Sequence, residues 1–178
     1  MPASFLGPIF QIAWITADID KAMESWIRAA SVGPWTCYKN VQMQATLYGT
    51  PITVHMHAAM SYRNGQQIEL IQPVGGSPSP YVDGRGQPLL GLHHTAWATS
   101  DLEADIAEAK RRGIEPFFRA ENPASKVAYL QVPGEMGAIM ELIQAPAEVM
   151  EGFRQGMQAS ENWDGKSNPV TVFDFAKM

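Results

Sequence analysis

One segment of this chain is written twice. Gln11-Ile12-Ala13-Trp14-Ile15-Thr16-Ala17-Asp18 aligns without a gap on His94-Thr95-Ala96-Trp97-Ala98-Thr99-Ser100-Asp101, so that Ala13/Ala96, Trp14/Trp97, Thr16/Thr99 and Asp18/Asp101 coincide. A second echo, Glu69-Leu70-Ile71-Gln72 against Glu141-Leu142-Ile143-Gln144, follows later in each copy. Such a duplication narrows the possible folds, because each copy must form the same unit and the two must bury their apolar faces together. It also sets one polar residue early in each copy, Gln11 and His94, and one glutamate late, Glu69 and Glu141.

Each copy reads as strand, helix and three strands. Phe10 to Thr16 alternates in the period of a half-buried strand. Asp18 offers a helix cap, and Ile19, Ala22, Met23, Trp26 and Ala30 recur at helical spacing, predicting a helix over 18–30 that stops at Gly33-Pro34. Strands follow at about 35–47, 51–60 and 65–72, the last two joined by an Asn64-Gly65 hairpin turn. The second copy has a strand at 91–99 and a capping-box pattern at Ser100-x-x-Glu103. A helix ending at Gly113 comes next, then strands at about 116–120, 126–132 and 138–144. The Gly-, Pro- and Ser-rich stretch 74–90 divides the copies and is long enough to be a lid or an interface loop. Residues 146–159 fit a closing helix, and the tail from Glu161 is polar and broken. The fold class is therefore α+β: one domain over 1–145, with module one at 9–73, linker 74–90 and module two at 91–145, and a C-terminal helix and tail over 146–178.

At 178 residues with a net charge of −5, the chain has no basic stripe for nucleic acid. It has no apolar run of membrane-spanning length, and its N-terminus lacks the basic start of a signal peptide. A single cysteine, Cys37, fits a reducing cytoplasm and a small apolar filler. Trp14, Trp26 and Trp97 are placed to fill the interface between sheet and helices.

If the copies pack symmetrically, Gln11, Glu69, His94 and Glu141 point into one shared cavity. A strand glutamate ordinarily faces solvent, a histidine opening a strand is often only a hydrogen-bonding residue, and glutamine seldom binds metal. Yet Glu69 and Glu141 each sit among Leu, Ile or Met neighbours, and a buried unpaired carboxylate costs several kcal/mol. A shared divalent cation compensates both; an apo ligand pocket is the other reading.

The Ile-Thr-Ala-Asp-Ile-Asp-Lys-Ala run followed by Gly33-Pro34-Trp35, the Gly-Leu-His-His-Thr-Ala-Trp strand and the Met-Glu-Leu-Ile-Gln strand resemble the vicinal oxygen chelate superfamily of glyoxalases, bleomycin-resistance proteins and dioxygenases. They are most similar to its epimerase-like branch, that of methylmalonyl-CoA epimerase. The resemblance covers residues 9–145 and implies paired βαβββ modules making an open, cupped sheet around a metal. It implies His94, rather than His93, and Glu141 as ligands, with Gln11 and Glu69 completing a set like that of zinc-dependent glyoxalase I. The ion implied is divalent, with Zn, Co, Ni, Mn and Mg not distinguished. The implied activity is that of a metal-dependent isomerase, epimerase or lyase acting on a small carbonyl compound through an enolate or enediolate. For the base, the resemblance points to the middle strand of module one, where His55 is nearest and His57 shares its face; Glu141 is a third candidate, and the alternative is that both histidines are polar residues of an edge strand. The alternatives are a ligand-sequestering protein without chemistry and a ring-cleaving dioxygenase, whose iron needs two histidines where Gln11 leaves one. Exposed sheet edges predict a homodimer.

Overall fold

The computed structural model describes residues 5–75, 78–134 and 139–177. Module one comprises β1 (Ile9–Ile15), α1 (Ile19–Ala30), β2 (Trp35–Leu47), β3 (Thr50–Arg63) and β4 (Gln66–Pro73). Module two repeats it with β5 (Gly91–Ala98), α2 (Leu102–Arg111), β6 (Pro116–Asn122), β7 (Ser125–Gln131) and β8 (Ile139–Gln144). α3 (Ala147–Glu161) and β9 (Val170–Asp174) complete the chain. The expected first residue of β8, 138, lies outside the described residues, as do residues 76 and 77 of the linker.

Much of the sequence echo is helix capping. Asp18 and Asp101 each accept from a backbone N–H three residues on, Lys21 at 3.1 Å and Ala104 at 3.0 Å. Thr16 and Thr99 accept from the N–H of those aspartates. Gln72 and Gln144, the last residues of the second echo, reach across to accept from Ile19 N–H at 2.9 Å and Leu102 N–H at 3.0 Å. The cap of α2 is thus Asp101, not the expected Ser100, because the duplicated Thr-x-Asp geometry already occupies the helix start. Beneath α1, Ile19 and Met23 pack with Trp35, Ala59, Ile68 and Leu70, joined by Trp14 and Trp26, whose rings meet edge-on at 5.0 Å. Beneath α2, Leu102, Ile106 and Ala109 pack with Ala128, Leu130 and Leu142, with Trp97 alongside.

The strands form one mixed sheet in the order β3-β4-β1-β5-β8-β7-β6-β2, closed by pairing of β2 with β3 and extended by β9 on β2. The expected open cup is therefore corrected: eight strands make a closed barrel. Closure depends on three pairs between β2 and β6, Ala45↔Ala120, Thr46↔Arg119 and Leu47↔Phe118. A bulge between Tyr38 and Val41, with Asn40 at φ 59°, bends the 13-residue β2 so that one end meets β6 while the other pairs with β9. The edges that suggested a homodimer are paired within the chain, and among the described strands only the outer side of β9 remains open.

Inside the barrel lie Ile15, Val54, Met56, Ala58, Ile71, Phe118 and Tyr129. Burial of an aromatic ring such as Phe118 contributes about 2–3 kcal/mol. The linker adds Tyr81 to this core, 1% exposed, with its hydroxyl 2.9 Å from that of Tyr129. A lid would have to leave the barrel; this segment is anchored in it. α3 lies against β3 and β4, its Phe153 stacked on Phe10 and its Gly156 against the ring of Tyr62.

Candidate metal centre

The ladders show how the duplication builds the site. In module one β1 runs parallel to β4 with Gln11 beside Gln67 and Ala13 beside Glu69. In module two β5 runs parallel to β8 with His94 beside Ile139 and Ala96 beside Glu141. Gln11 and His94, and likewise Glu69 and Glu141, therefore hold equivalent positions in register as well as in sequence. The modules join where β1 and β5 run antiparallel, with Ala13 opposite His94 and Gln11 opposite Ala96. Alternation then sorts the side chains. Leu70 and Leu142 turn out to the helices, and Glu69 and Glu141, one residue earlier, turn into the barrel.

Glu69, His94 and Glu141 converge there, each buried, with one donor atom apiece within 4.8 Å of the others. His94 Nε2 lies 2.9 Å from Glu141 Oε2 and 3.5 Å from Glu69 Oε2. Donors about 3–3.5 Å apart are what metal–ligand bonds near 2.1 Å require around a tetrahedral ion. Burial opposes a charge on His94, yet Glu141 and Glu69 override it and raise its pKa to about 9. Burial also pushes the Glu141 carboxyl up, with His94 opposing. Protonated His94 beside two carboxylates still leaves one negative charge uncompensated in the interior; a divalent cation with neutral His94 leaves none. The donor atoms accord with a cation, since His94 Nε2, Glu141 Oε2 and Gln11 Oε1 are each buried without a hydrogen-bond partner. With the His94 proton on Nδ1, its Nε2 has none to give Glu141, and the 2.9 Å contact sets lone pair against carboxylate. The set fits a cation.

Gln11 is buried, with its amide hydrogen-bonded on one side. Its Nε2 donates to Gln67 Oε1 at 2.7 Å, and Gln67 Nε2 donates to the Tyr62 hydroxyl at 2.8 Å, so the carbonyl oxygen of Gln11 is the unpaired atom.

His55 and His57 are not brought to this group. Across the β3–β4 ladder Met60 opposes Glu69 and Ala58 opposes Ile71, so the even-numbered residues of β3 share the interior face. The two histidines do share a face, as expected, but it is the outer one. His55 is exposed, and His57 Nδ1 accepts from the Asn40 N–H at the β2 bulge, 2.9 Å away.

Behind these three side chains lies a second group, around His93. The β1–β5 register skips a residue between Ala13↔His94 and Trp14↔Leu92, which leaves His93 in a bulge. A bulge re-aims its side chain, and His93 Nδ1 lies 2.8 Å from His94 Nδ1 although neighbours in a regular strand face opposite ways. His93 Nε2 lies 3.0 Å from the Pro80 carbonyl oxygen. Tyr81 and Tyr129 enclose the pair, the Tyr129 ring centroid 4.9 Å from that of His94. Burial depresses the His93 pKa to about 4 and raises both phenols. The doubled histidine was visible in the chain; the bulge that gives it meaning was not.

A family model described as the Glyoxalase/Bleomycin resistance protein/Dioxygenase superfamily matches residues 10–129. The chain belongs to that superfamily. Among solved structures, this superfamily member resembles the methylmalonyl-CoA epimerase of Mycobacterium tuberculosis, at 18% identity and a TM-score of 0.57, with 85% of this chain and 96% of that one covered. It also resembles a methylmalonyl-CoA epimerase in complex with methylmalonyl-CoA and NH4+, at 19% identity and a TM-score of 0.51, covering 80% and 96%. A Streptomyces coelicolor methylmalonyl-CoA epimerase variant in complex with 2-nitronate-propionyl-CoA aligns at 18% identity and a TM-score of 0.53, covering 80% and 99%. At these identities the likeness is one of fold. No curated protein matches the chain by sequence. No helix among the described residues is long and apolar enough to cross a membrane.

Proposed function

We propose that the protein is a metal-dependent isomerase or epimerase that moves a proton on the carbon next to a carbonyl group of a small molecule. The observation that carries this reading is the buried Glu69–His94–Glu141 group, whose donors lack other partners unless a proton or cation joins them. These three residues would hold the ion, with Gln11 Oε1 the nearest candidate for a fourth donor by the symmetry of the two ladders. When bound, a divalent ion supplies Lewis acidity to a substrate oxygen and so lowers the acidity barrier at the neighbouring carbon. The barrel wall around the group, with Val54, Met56, Ile71 and Tyr129, excludes water and keeps the local dielectric low. Glu141 and Glu69 are the groups able to take up a proton there. Support for a proton-transfer activity also comes from the superfamily and from the fold shared with epimerases.

One observation favours a second reading, a sequestering protein without chemistry. The interior face of β3 carries Ile52, Val54, Met56, Ala58, Met60 and Tyr62, and its one titratable group, the Tyr62 phenol, is pushed by burial up to about 12. The strand thus offers no base separate from the metal-site carboxylates.

The deciding experiment is hydrogen–deuterium exchange. The protein loaded with Zn²⁺ or Co²⁺ is incubated in D₂O with carbonyl compounds bearing an adjacent C–H, thioesters among them. Deuterium should enter at that carbon, and Glu141→Gln should reduce the rate by about 10²-fold or more. A ligand bound tightly and recovered without deuterium would select the sequestering reading.

A further inference from the structure

We infer that His93 is a positioning residue: held by the Pro80 carbonyl, it fixes His94 as the Nδ1–H tautomer and keeps the His94 Nε2 lone pair turned toward Glu69 and Glu141. The inference rests on the proposed cation site and adds a device that sets its one nitrogen ligand.

The hydrogen bonds leave few choices. A backbone carbonyl only accepts, so the 3.0 Å contact with Pro80 requires the proton of His93 to sit on Nε2. His93 is 4% exposed, lies against the Tyr81 and Tyr129 rings and makes no ion pair among the described residues, so nothing there stabilises a second proton on it. Its Nδ1 is therefore an acceptor. The facing atom 2.8 Å away is His94 Nδ1, which must then carry the hydrogen. The other ring nitrogen of His94 is left free on the side where the two carboxylates lie at 2.9 and 3.5 Å. Without His93 either His94 tautomer is available, and the ring can turn. An outer partner of this kind raises the basicity of a metal-binding imidazole and limits its rotation, and its loss typically weakens metal affinity 10- to 100-fold.

Two features show that the arrangement is built. The bulge in β5 is what turns His93 to the same side as His94. The carbonyl it meets belongs to the linker, whose next residue, Tyr81, is seated in the barrel on the hydroxyl of Tyr129. The linker therefore reaches the site through the Pro80 carbonyl and the Tyr81 ring.

The test combines calorimetry and NMR on the full chain. Zn²⁺ and Co²⁺ are titrated into the metal-free parent, His93→Phe and His93→Gln. Phenylalanine keeps the aromatic packing and removes both ring nitrogens; glutamine can accept from His94 and donate to Pro80. The expected result is a 10- to 100-fold loss of affinity in His93→Phe and recovery of most of it in His93→Gln, with the metal-free melting temperature of each variant reporting that it is folded. In the parent, long-range ¹H–¹⁵N correlations should show His93 neutral and protonated on Nε2. A His93→Phe protein binding metal as tightly as the parent, or a His93 protonated on Nδ1, overturns the inference. Should the parent bind neither ion, the metal reading fails by itself, and the NMR spectrum still decides the state of His93.

Discussion

At the scale of single residues, the two adjacent histidines oppose each other in their response to pH. His94 has a folded pKa of about 9 against an ordinary 6.5, so in metal-free protein its contribution to stability is complete below pH 6.5 and is lost as pH rises through 9. His93 is held near 4, so its contribution is complete above pH 6.5 and is lost as pH falls through 4. Glu141, raised by burial, contributes stability that starts to be lost as pH rises above 4.5. For the two histidines alone, the metal-free protein should be most stable near pH 6.5. A cation bound at the proposed site would take the place of the His94 proton, so apparent affinity for Co²⁺ should rise about tenfold per pH unit between 6.5 and 9. Melting temperatures recorded across that range, with and without Co²⁺, check this: the gap between the two curves should widen toward alkaline pH. A gap of constant width would place the ion elsewhere.

At the scale of elements, α3 is the tightest fit. A Cβ on Gly156 would collide with Cε2 of Tyr62, and that ring is 8% exposed and held at its hydroxyl by Gln67. Gly156→Ala should thus destabilise the protein by about 1–3 kcal/mol, measured by urea unfolding, although alanine improves helix propensity. An unchanged or raised stability would mean that α3 rides loosely over β3. The elements themselves were mostly legible, because the period-2 and period-3.6 patterns occur twice and the copies check each other. Their irregularities were not. The spacing showed correctly that His55 and His57 share a face, but which face depends on the register of β3 against β4, which alternation alone does not contain. The bulge at His93 leaves no mark in the spacing of Gly91-Leu92-His93-His94. β9 is five residues, Val-Thr-Val-Phe-Asp, behind a polar turn, too short to stand out until β2 supplies its partner.

At the scale of the whole molecule, the duplication set Gln11, Glu69, His94 and Glu141 in pairs, and the ladders repeat that pairing. Closure of the barrel was not legible in the sequence, since it hangs on three residue pairs between strands from different modules, far apart in sequence. The linker seats Tyr81, a residue on the module-one side of the exposed turn at Asp83–Arg85, among the aromatic side chains of module two. A protease that nicks the backbone after Arg85 would consequently leave the first fragment plugged into the second. The clipped protein should elute from a sizing column at the volume of the intact chain and separate only in denaturant. The two pieces, 1–85 and 86–178, expressed from separate genes, should likewise find each other and rebuild one particle; recovery of two independent, non-associating fragments would show that Tyr81 is no anchor. Two halves built on one plan are in this way shaped as a lock and its key.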